Sequence, residues 1–161
     1  MTNSKDRIQC LPYLCRDSKL KKEVSDVENC IFCKIIAQTA PCYKIYENDY
    51  VLAFLDIAKN AEGHIILVPK THCVNLLDAS EEQVIELAKA TKIISKHLLE
   101  KCGFTGINTF NANGESAQQT VPHFHIHIIP RKEKDGLEAW RLEEKFNFDL
   151  NLIHKRLTLI K

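Results

Sequence analysis

The chain has 161 residues, a formal net charge of +1, 45% hydrophobic residues and 27% charged residues. This length can bury one sizeable core but not two ordinary domains and a linker, so we expect a single domain. The scattered basic residues leave no electrostatic footprint for a nucleic-acid partner. No stretch reaches the roughly 18 apolar residues of a membrane helix, and the first ten residues lack the apolar segment of a signal peptide, so we expect no membrane partner and a cytoplasmic location.

Seven cysteines, an odd number, indicate reduced thiols or metal ligands in a chain without an export signal. Residues 1–28 are polar and weakly patterned, which predicts an N-terminal arm. Directly after it, "NCIFC" places Cys30 and Cys33 at a spacing that can present two thiolates to one zinc ion. Two other interpretations remain open: a thioredoxin-like redox pair, and a four-cysteine cluster completed by Cys10 and Cys15.

The segment from Tyr43 to Ile57 contains two β-runs, "YKIY" and "YVLAFLDI", joined at residues 47–49, whose types favour a turn. This pattern predicts a β-hairpin. A third run, "HIILVP" from His64 to Pro69, follows Gly63 and predicts a strand that ends at the proline.

A long helix is predicted next, because Ser80 and Gln83 form a capping-box pattern at its start. Residues at helical spacing then continue until Gly103: Val84, Leu87, Ala88, Thr91, Ile94 and Leu98. Two further strands are predicted, "INTFNA" at 107–112 and "HFHIHII" at 123–129, the second flanked by Pro122 and Pro130. The order predicts an α+β fold, in which an antiparallel β-sheet has one long helix packed on one face, followed over 133–161 by a segment with a short helix at "LNLIHKRL".

The run "HFHIHII" is the most informative part of the chain, because alternate side chains of a strand point to opposite faces. His123, His125 and His127 therefore share one face, at intervals of about 6.6 Å. Threonine, serine or lysine would serve equally well on a merely solvated face, so three alternating histidines indicate chemistry. They could bind a catalytic metal, or one imidazole could be a nucleophile whose Nε2 is freed when a backbone carbonyl accepts from its Nδ1–H.

Three segments, "GHIILVPKTH", "NANGESAQQTVP" and "HFHIHIIPR", resemble the histidine-triad (HIT) nucleotide-binding family, and in particular its Hint-like branch. The resemblance runs from about Asn29 to Arg131 and implies a histidine-triad domain over residues 29–132. It implies that His125 is the nucleophile, that His127 contacts the α-phosphate, and that His64 reaches the same site from a neighbouring strand.

The resemblance also implies a nucleotide site. Gln119 and Thr120 match positions near the phosphate, and the loop's amide position falls at Ala112, between Asn111 and Asn113, the two candidates for that role. Backbone N–H groups and short donors in such a loop can hold a phosphate. Asp56 matches the carboxylate that accepts from ribose hydroxyls, and the base would contact apolar side chains, namely Ile31, Phe32 and Phe54.

Family members with the cysteine pair complete a structural zinc site with two histidines, here His72 and His123, beside Cys30 and Cys33. By resemblance the chain is a hydrolase or nucleotidyl transferase that cleaves AMP or GMP derivatives at the α-phosphorus, and it forms a homodimer. Two alternatives remain open: a metallohydrolase whose three strand histidines hold a catalytic zinc, and a nucleotide-binding regulator without catalysis.

Overall fold

The computed structural model describes residues 27–58, 60–138 and 149–158. The α-helices and strands are α1 (Ile31–Ile36), β1 (Lys44–Glu47), β2 (Val51–Leu55), β3 (Ile65–Pro69), α2 (Glu81–Lys101), β4 (Gly106–Phe110), β5 (Ile126–Arg131) and α3 (Leu150–Leu157), with a 3₁₀ helix at Glu115–Ala117. The five strands form one sheet in the order β1-β2-β3-β5-β4, and all neighbouring strands are antiparallel. The predicted α+β class is confirmed. Most of the predicted N-terminal arm, including Cys10 and Cys15, lies outside the described residues.

The predicted hairpin is formed by β1 and β2. Asn48 sets the turn, because its side-chain oxygen accepts hydrogen bonds from the N–H groups of Tyr50 and Val51 at 2.9 and 2.8 Å. The hairpin places Asp56 just beyond the end of β2, beside the start of β3.

The sheet is covered on both faces, and the central strand β3 is buried along its whole length. Ile65 and Leu67 pack with α2, whereas Ile66 and Val68 pack on the opposite face with residues of α1. On β5 and the residues before it, Phe124, Ile126 and Ile128 belong to the α2 side. The histidines between them therefore face the α1 side, as the alternation predicts.

Helix α2 begins where the capping box predicts. The Ser80 hydroxyl accepts from the Gln83 N–H at 3.2 Å, and the Gln83 side chain accepts from the Ser80 N–H at 2.8 Å. The buried side of α2 differs in one place from the predicted pattern: Ala88 is exposed, and Ala90 lies in the core instead. Ala88 and Ala90 lie on opposite edges of the apolar side of the helix, so the sequence pattern alone does not show which of them is buried. The angle at which α2 packs on the sheet decides it.

Helix α1 was not predicted from the sequence. It has only six residues, too few for a helical periodicity to be recognised. Cys30 caps it, because its Sγ accepts from the Cys33 N–H at 3.4 Å, and Phe32 and Ile35 bury their side chains against the sheet. Most of its stability therefore comes from tertiary packing.

Strand β5 begins and ends later than predicted, since residues 123–125 precede it and Pro130 lies within it. The Arg131 carbonyl accepts from the Thr105 N–H at 2.9 Å, so Arg131 points its backbone groups toward β4 and Pro130 points away from it. On the side away from β4, Pro130 has no partner in β3, because the first residue of β3, Ile65, pairs with Ile128. No ladder hydrogen bond is lost at Pro130, which explains why proline is tolerated there.

Gly63 allows the chain to turn into β3. It has φ +71°, and a Cβ there would lie 3.3 Å from Cγ of Pro130 and 3.4 Å from the ring of Phe104. The turn positions His64 immediately before β3. Among the described residues, no helix combines the length and apolar character that crossing a membrane requires.

Candidate active site and metal centre

Two cysteines and two histidines from distant parts of the chain meet beside α1. Cys30 and Cys33 belong to the start of α1, His72 follows β3, and His123 precedes β5. Cys30 Sγ lies 3.3 Å from Nδ1 of His123, Cys33 Sγ lies 3.3 Å from Nδ1 of His72, and the two Nδ1 atoms are 3.2 Å apart. The structure thus brings together all four residues that the resemblance implied as metal ligands.

These distances fit a tetrahedral zinc ion. Ordinary zinc bond lengths place a sulfur and a nitrogen ligand about 3.6 Å apart, and two nitrogen ligands about 3.3 Å apart. His123 donates from Nε2 to the Pro69 carbonyl at 3.0 Å, so the lone pair of Nδ1 faces the cluster. Burial lowers the pKa of His123 to about 4, which keeps the ring in the neutral form that binds metals. The donor set and its spacing are therefore compatible with a tetrahedral metal ion such as zinc.

The Cys33 thiol is ill suited to ionise without a cation beside it. Burial, followed by the hydrogen bond and the charge of neighbouring Cys30, raises the pKa of Cys33 to about 12. A bound dication reverses this effect, because it stabilises the thiolates directly. Among the described residues, the groups that shift the Cys33 pKa include no cation, which favours a metal ion as the counter-charge for a thiolate.

The His125 ring is oriented by a hydrogen bond to the backbone of its own segment. Its Nδ1 lies 2.6 Å from the His123 carbonyl, and since the carbonyl can only accept, Nδ1 carries the proton and Nε2 carries the lone pair. The ring is 3% exposed, and the edge of Phe32 packs against it with ring centroids 5.4 Å apart. Asn111 donates to the His125 carbonyl at 2.9 Å and so ties the loop after β4 to this residue. This geometry allows one tautomer of the neutral imidazole, the one with its proton on Nδ1.

His127 and His64 form a second pair on the same face of the sheet. His64 Nε2 lies 2.9 Å from His127 Nδ1, and the rings of His125 and His127 are 4.8 Å apart. Burial, together with the neighbouring imidazoles of His125 and His64, lowers the pKa of His127 to about 4. Burial also lowers the pKa of His64, although the nearby carboxylate of Asp56 opposes this shift.

The three strand histidines therefore do not converge on one metal. The donor atom of His123 belongs with the cysteines, and the Nδ1 of His125 is bonded to a carbonyl. The donor atoms of His127, His64 and Asp56 do lie within 4.8 Å of one another, a second group that could hold an ion. A catalytic zinc held by all three strand histidines has no support in this arrangement.

Asp56 touches His64 as well as its own turn. Its Oδ2 lies 3.2 Å from Nδ1 of His64, and its Oδ1 accepts from the Ala58 N–H at 2.9 Å. An open cleft of about 500 Å³ borders Asp56 and His64 and is also lined by Tyr43, Leu55 and Ile57. A ligand in this cleft could therefore reach the carboxylate.

Of the three apolar residues assigned to the base, only Ile31 is exposed, at 45%. Phe32 and Phe54 are buried and pack edge to face with centroids 5.5 Å apart. They form the floor beneath the histidines, and Ile31 offers the accessible surface.

The loop residues assigned to the phosphate differ in what they do. Gln119 is fully engaged, because its oxygen accepts from the Gly114 N–H and its amide donates to the carbonyls of Val74 and Val121. Asn113 accepts from the Leu76 N–H at 2.9 Å and donates to the Asn111 side chain. Thr120 is exposed. Gln119 and Asn113 therefore brace the loop, whereas Thr120 presents an exposed hydroxyl.

One residue near the histidines escaped the sequence reasoning. Asn60 lies in the connection between β2 and β3, and its side-chain oxygen is 2.8 Å from Nδ1 of His64. It stands in the polar run "AKNAEG", which reads as an ordinary loop. Its spacing of four residues from His64 carries no recognisable signal outside a helix.

Comparison with known families decides the identity of the domain. Residues 37–134, more than half of the chain, match the family model described as the HIT domain. The chain belongs to the HIT family. A stretch of 116 residues is 46% identical to Protein hit of Bacillus subtilis, covering 71% of this chain and 80% of that protein. Adenosine 5′-monophosphoramidase HNT1 of Saccharomyces cerevisiae is 36% identical over 148 residues, covering 91% of this chain and 90% of that enzyme.

A HIT protein of known structure has the same architecture. It is a zinc-bound histidine triad family protein from Mycobacterium smegmatis, 35% identical, which matches 73% of this chain and 86% of its own with a TM-score of 0.67. The predicted family is confirmed. The histidines, Asp56 and the loop residues lie within the matched HIT domain, whereas the two cysteines, Ile31 and Phe32 precede it.

Proposed function

We propose that this HIT protein is a hydrolase or nucleotidyl transferase that cleaves purine nucleotide derivatives at the α-phosphorus through a nucleotidyl-His125 intermediate. The observation that carries the proposal is the 2.6 Å hydrogen bond from His125 Nδ1 to the His123 carbonyl, since it leaves Nε2 as a nucleophile. The substrates include phosphoramidates, acyl-adenylates and dinucleoside polyphosphates of AMP or GMP. The yeast relative named as an adenosine 5′-monophosphoramidase supports AMP derivatives in particular.

The reaction has two displacements at phosphorus. In the first, the lone pair of His125 Nε2 forms a P–N bond while the bond to the leaving group breaks. The departing atom keeps the electron pair and takes, from His127 Nε2, the extra proton of the protonated His64–His127 pair, a state that the negative charge of the bound phosphate favours. In the second, the oxygen of a water molecule bonds to phosphorus, a proton of that water passes to His127, and the electron pair of the P–N bond returns to His125. The nucleoside monophosphate leaves, and both histidines regain their first states.

Binding of the nucleotide is assigned to the surroundings of these histidines. Asp56 would accept from the ribose hydroxyls, and Ile31 with the floor of Phe32 and Phe54 would contact the base. The loop of Asn111, Asn113, Gln119 and Thr120 would hold the phosphate. In this loop the fully bonded amide of Gln119 supports a bracing role, in which backbone N–H groups make the contact.

A structural zinc ion held by Cys30, Cys33, His72 and His123 is part of the proposal. Such an ion would link α1 to the residues before β5, and so hold the Phe32 edge against His125. The zinc-bound relative of known structure and the tetrahedral spacing of the four donor atoms support this assignment. The ion takes no part in the displacement at phosphorus.

A homodimer and a cytoplasmic location, both expected from the sequence, remain proposals. Ile85 and Ile93 on α2 are about half exposed, which provides apolar surface for a second copy of the chain. Light scattering coupled to size-exclusion chromatography would give the mass in solution, and a monomer at micromolar concentration would contradict the dimer.

The decisive experiment is incubation with adenosine 5′-phosphoramidate. We expect AMP as the product and, after rapid acid-free quenching, an adenylyl adduct that peptide mass spectrometry locates on His125. A metallohydrolase using Asp56, His64 and His127 would release AMP without any adduct, and a regulatory module would bind AMP without turnover. Either result would overturn the proposed mechanism.

A further inference from the structure

Asn60 makes a contact that the proposed reaction does not yet use. Its Oδ1 lies 2.8 Å from Nδ1 of His64, and Oδ2 of Asp56 lies 3.2 Å from the same nitrogen. Both contacts come from the connection between β2 and β3, while His127 approaches the opposite nitrogen of the ring from β5 at 2.9 Å. The His64 imidazole is therefore held at both nitrogens.

These contacts determine which nitrogen of His64 carries the proton. An ionised carboxylate can only accept, so the Asp56 contact requires an N–H at Nδ1, and the amide of Asn60 turns its oxygen toward the same hydrogen. In the neutral ring Nε2 then has the lone pair. It accepts from Nδ1–H of His127, which in turn leaves Nε2 of His127 facing the site.

The state of His127 Nε2 now depends on one proton shared by the two rings. When the pair is neutral, His127 Nε2 carries a lone pair and can accept from water. When the pair holds one extra proton, on either ring, His127 Nε2 carries a hydrogen and can donate it to a leaving group. Both halves of the proposed reaction need this arrangement, and both fail if His64 rotates or takes the other tautomer.

We propose that Asn60 is a positioning residue that fixes the tautomer and orientation of His64, and through His64 the nitrogen that His127 presents to the substrate. The kinetic part of this inference rests on the proposed function. Asn60 suits the role better than Asp56 alone, because its contact is shorter and because Asp56 is also bound by the Ala58 N–H and is assigned to the ribose. A neutral amide also orients the ring without adding charge, so the pair keeps its ability to release the proton.

The test compares Asn60→Ala with Asn60→Asp. Glu62→Ala is the matched control, since Glu62 lies in the same loop, is exposed, and pairs with Lys132 but not with His64. For Asn60→Ala we expect kcat on adenosine 5′-phosphoramidate to fall about tenfold with KM unchanged, the usual effect of losing a partner that orients a functional histidine. Asn60→Asp keeps the acceptor and should recover kcat near neutral pH.

A second measurement does not depend on catalysis. Long-range ¹H–¹⁵N spectra of the ¹⁵N-histidine-labelled holoprotein report the tautomer of each ring. We expect a single Nδ1–H form of His64 in the wild type, Asn60→Asp and Glu62→Ala proteins. In Asn60→Ala only the longer contact from Asp56 remains, and we expect a mixture of the two tautomers.

The pH at which the His64–His127 pair titrates should also change in a defined direction. The charged or titratable groups that face His64 among the described residues are Asp56 from its own loop and His127 from β5, with His125 behind His127. A carboxylate at position 60 should shift the titration of the pair to higher pH, because it stabilises the extra proton.

The inference is overturned if Asn60→Ala keeps both the kcat of Glu62→Ala and the single His64 tautomer. If Asn60→Ala does not fold, Asn60→Asp provides the test. An unchanged titration of the His64–His127 pair in Asn60→Asp would also contradict the positioning role of Asn60. If the wild type does not hydrolyse the phosphoramidate, the proposed function fails, but the tautomer spectra still test Asn60.

Discussion

Replacing His123 with alanine should impair different properties of the protein from replacing His127 with alanine, although the two residues lie on the same face of one segment. His123 is fully buried, donates to the Pro69 carbonyl and faces the cysteines, whereas His127 contacts the rings of His64 and His125. The first variant should lose metal and stability. The second should lose catalysis and little else.

The expected sizes follow from these surroundings. Truncating the buried His123 ring leaves a cavity beside Phe32 and removes a hydrogen bond, at a cost of about 3 kcal/mol in the free energy of unfolding. For a chain of this length such a loss lowers Tm by roughly 6–12 °C. His127→Ala removes a proton carrier, so kcat should fall by about 10² to 10⁴-fold, with a stability loss of about 1 kcal/mol.

Three assays on the same preparations separate the two effects: zinc per chain by elemental analysis without added metal, Tm by circular dichroism, and kcat on adenosine 5′-phosphoramidate. We expect about one zinc per chain in the wild type and His127→Ala, and far less in His123→Ala. If His127→Ala loses zinc, or if His123→Ala keeps zinc and Tm and loses only kcat, the division between structural and catalytic histidines is wrong.

Three further predictions concern single residues. His125→Asn should abolish the adenylyl adduct and lower kcat by about 10³-fold or more, and an adduct that persists on another residue would move the nucleophile elsewhere. Leu87 is fully buried on α2, so Leu87→Ala should lower the free energy of unfolding by about 3–5 kcal/mol. Urea unfolding measures this loss, with the Asn60→Asp protein as a control whose core is intact. A loss below about 1 kcal/mol would contradict the packing described for this residue. Because the folded pKa of His127 is about 4, below its usual value near 6.5, the unfolded chain binds the proton first, so stability should fall as the pH drops from about 6.5 to about 4. His127→Gln should lose less stability over that range than wild type, and equal losses would argue against a buried neutral ring.

The sequence predicts well those features that depend on local patterns. The capping box at Ser80 and Gln83 places the start of α2 correctly, because both hydrogen bonds form between residues three apart. The alternation in "HFHIHII" separates Phe124 and Ile128, which are buried against α2, from the histidines on the other face. Both signals involve residues close together in the sequence, so they can be recognised without knowledge of the rest of the chain.

Other features were set by contacts between distant residues. The six residues of α1 carry too short a pattern, and the helix is stabilised by burying Phe32 and Ile35 on the sheet. Pro130 is tolerated inside β5 because the pairing with β3 extends only as far as Ile128, so no hydrogen bond to β3 is lost at the proline. The amide of Gln119 is turned toward the carbonyls of Val74 and Val121, a choice that loop composition does not reveal.

By itself, the sequence determined the family, the α+β class and the residue types available for chemistry, because these depend on motif and period. Only the tertiary structure decided how those residues are divided. It directs His123 toward two cysteines and His127 toward His64, and it places Asn60 at the far side of the His64 ring. The physical reason is that hydrogen bonding and metal binding depend on separations of about 3 Å between atoms, and residues 60 or 90 positions apart reach such separations only when the sheet and α1 bring them together.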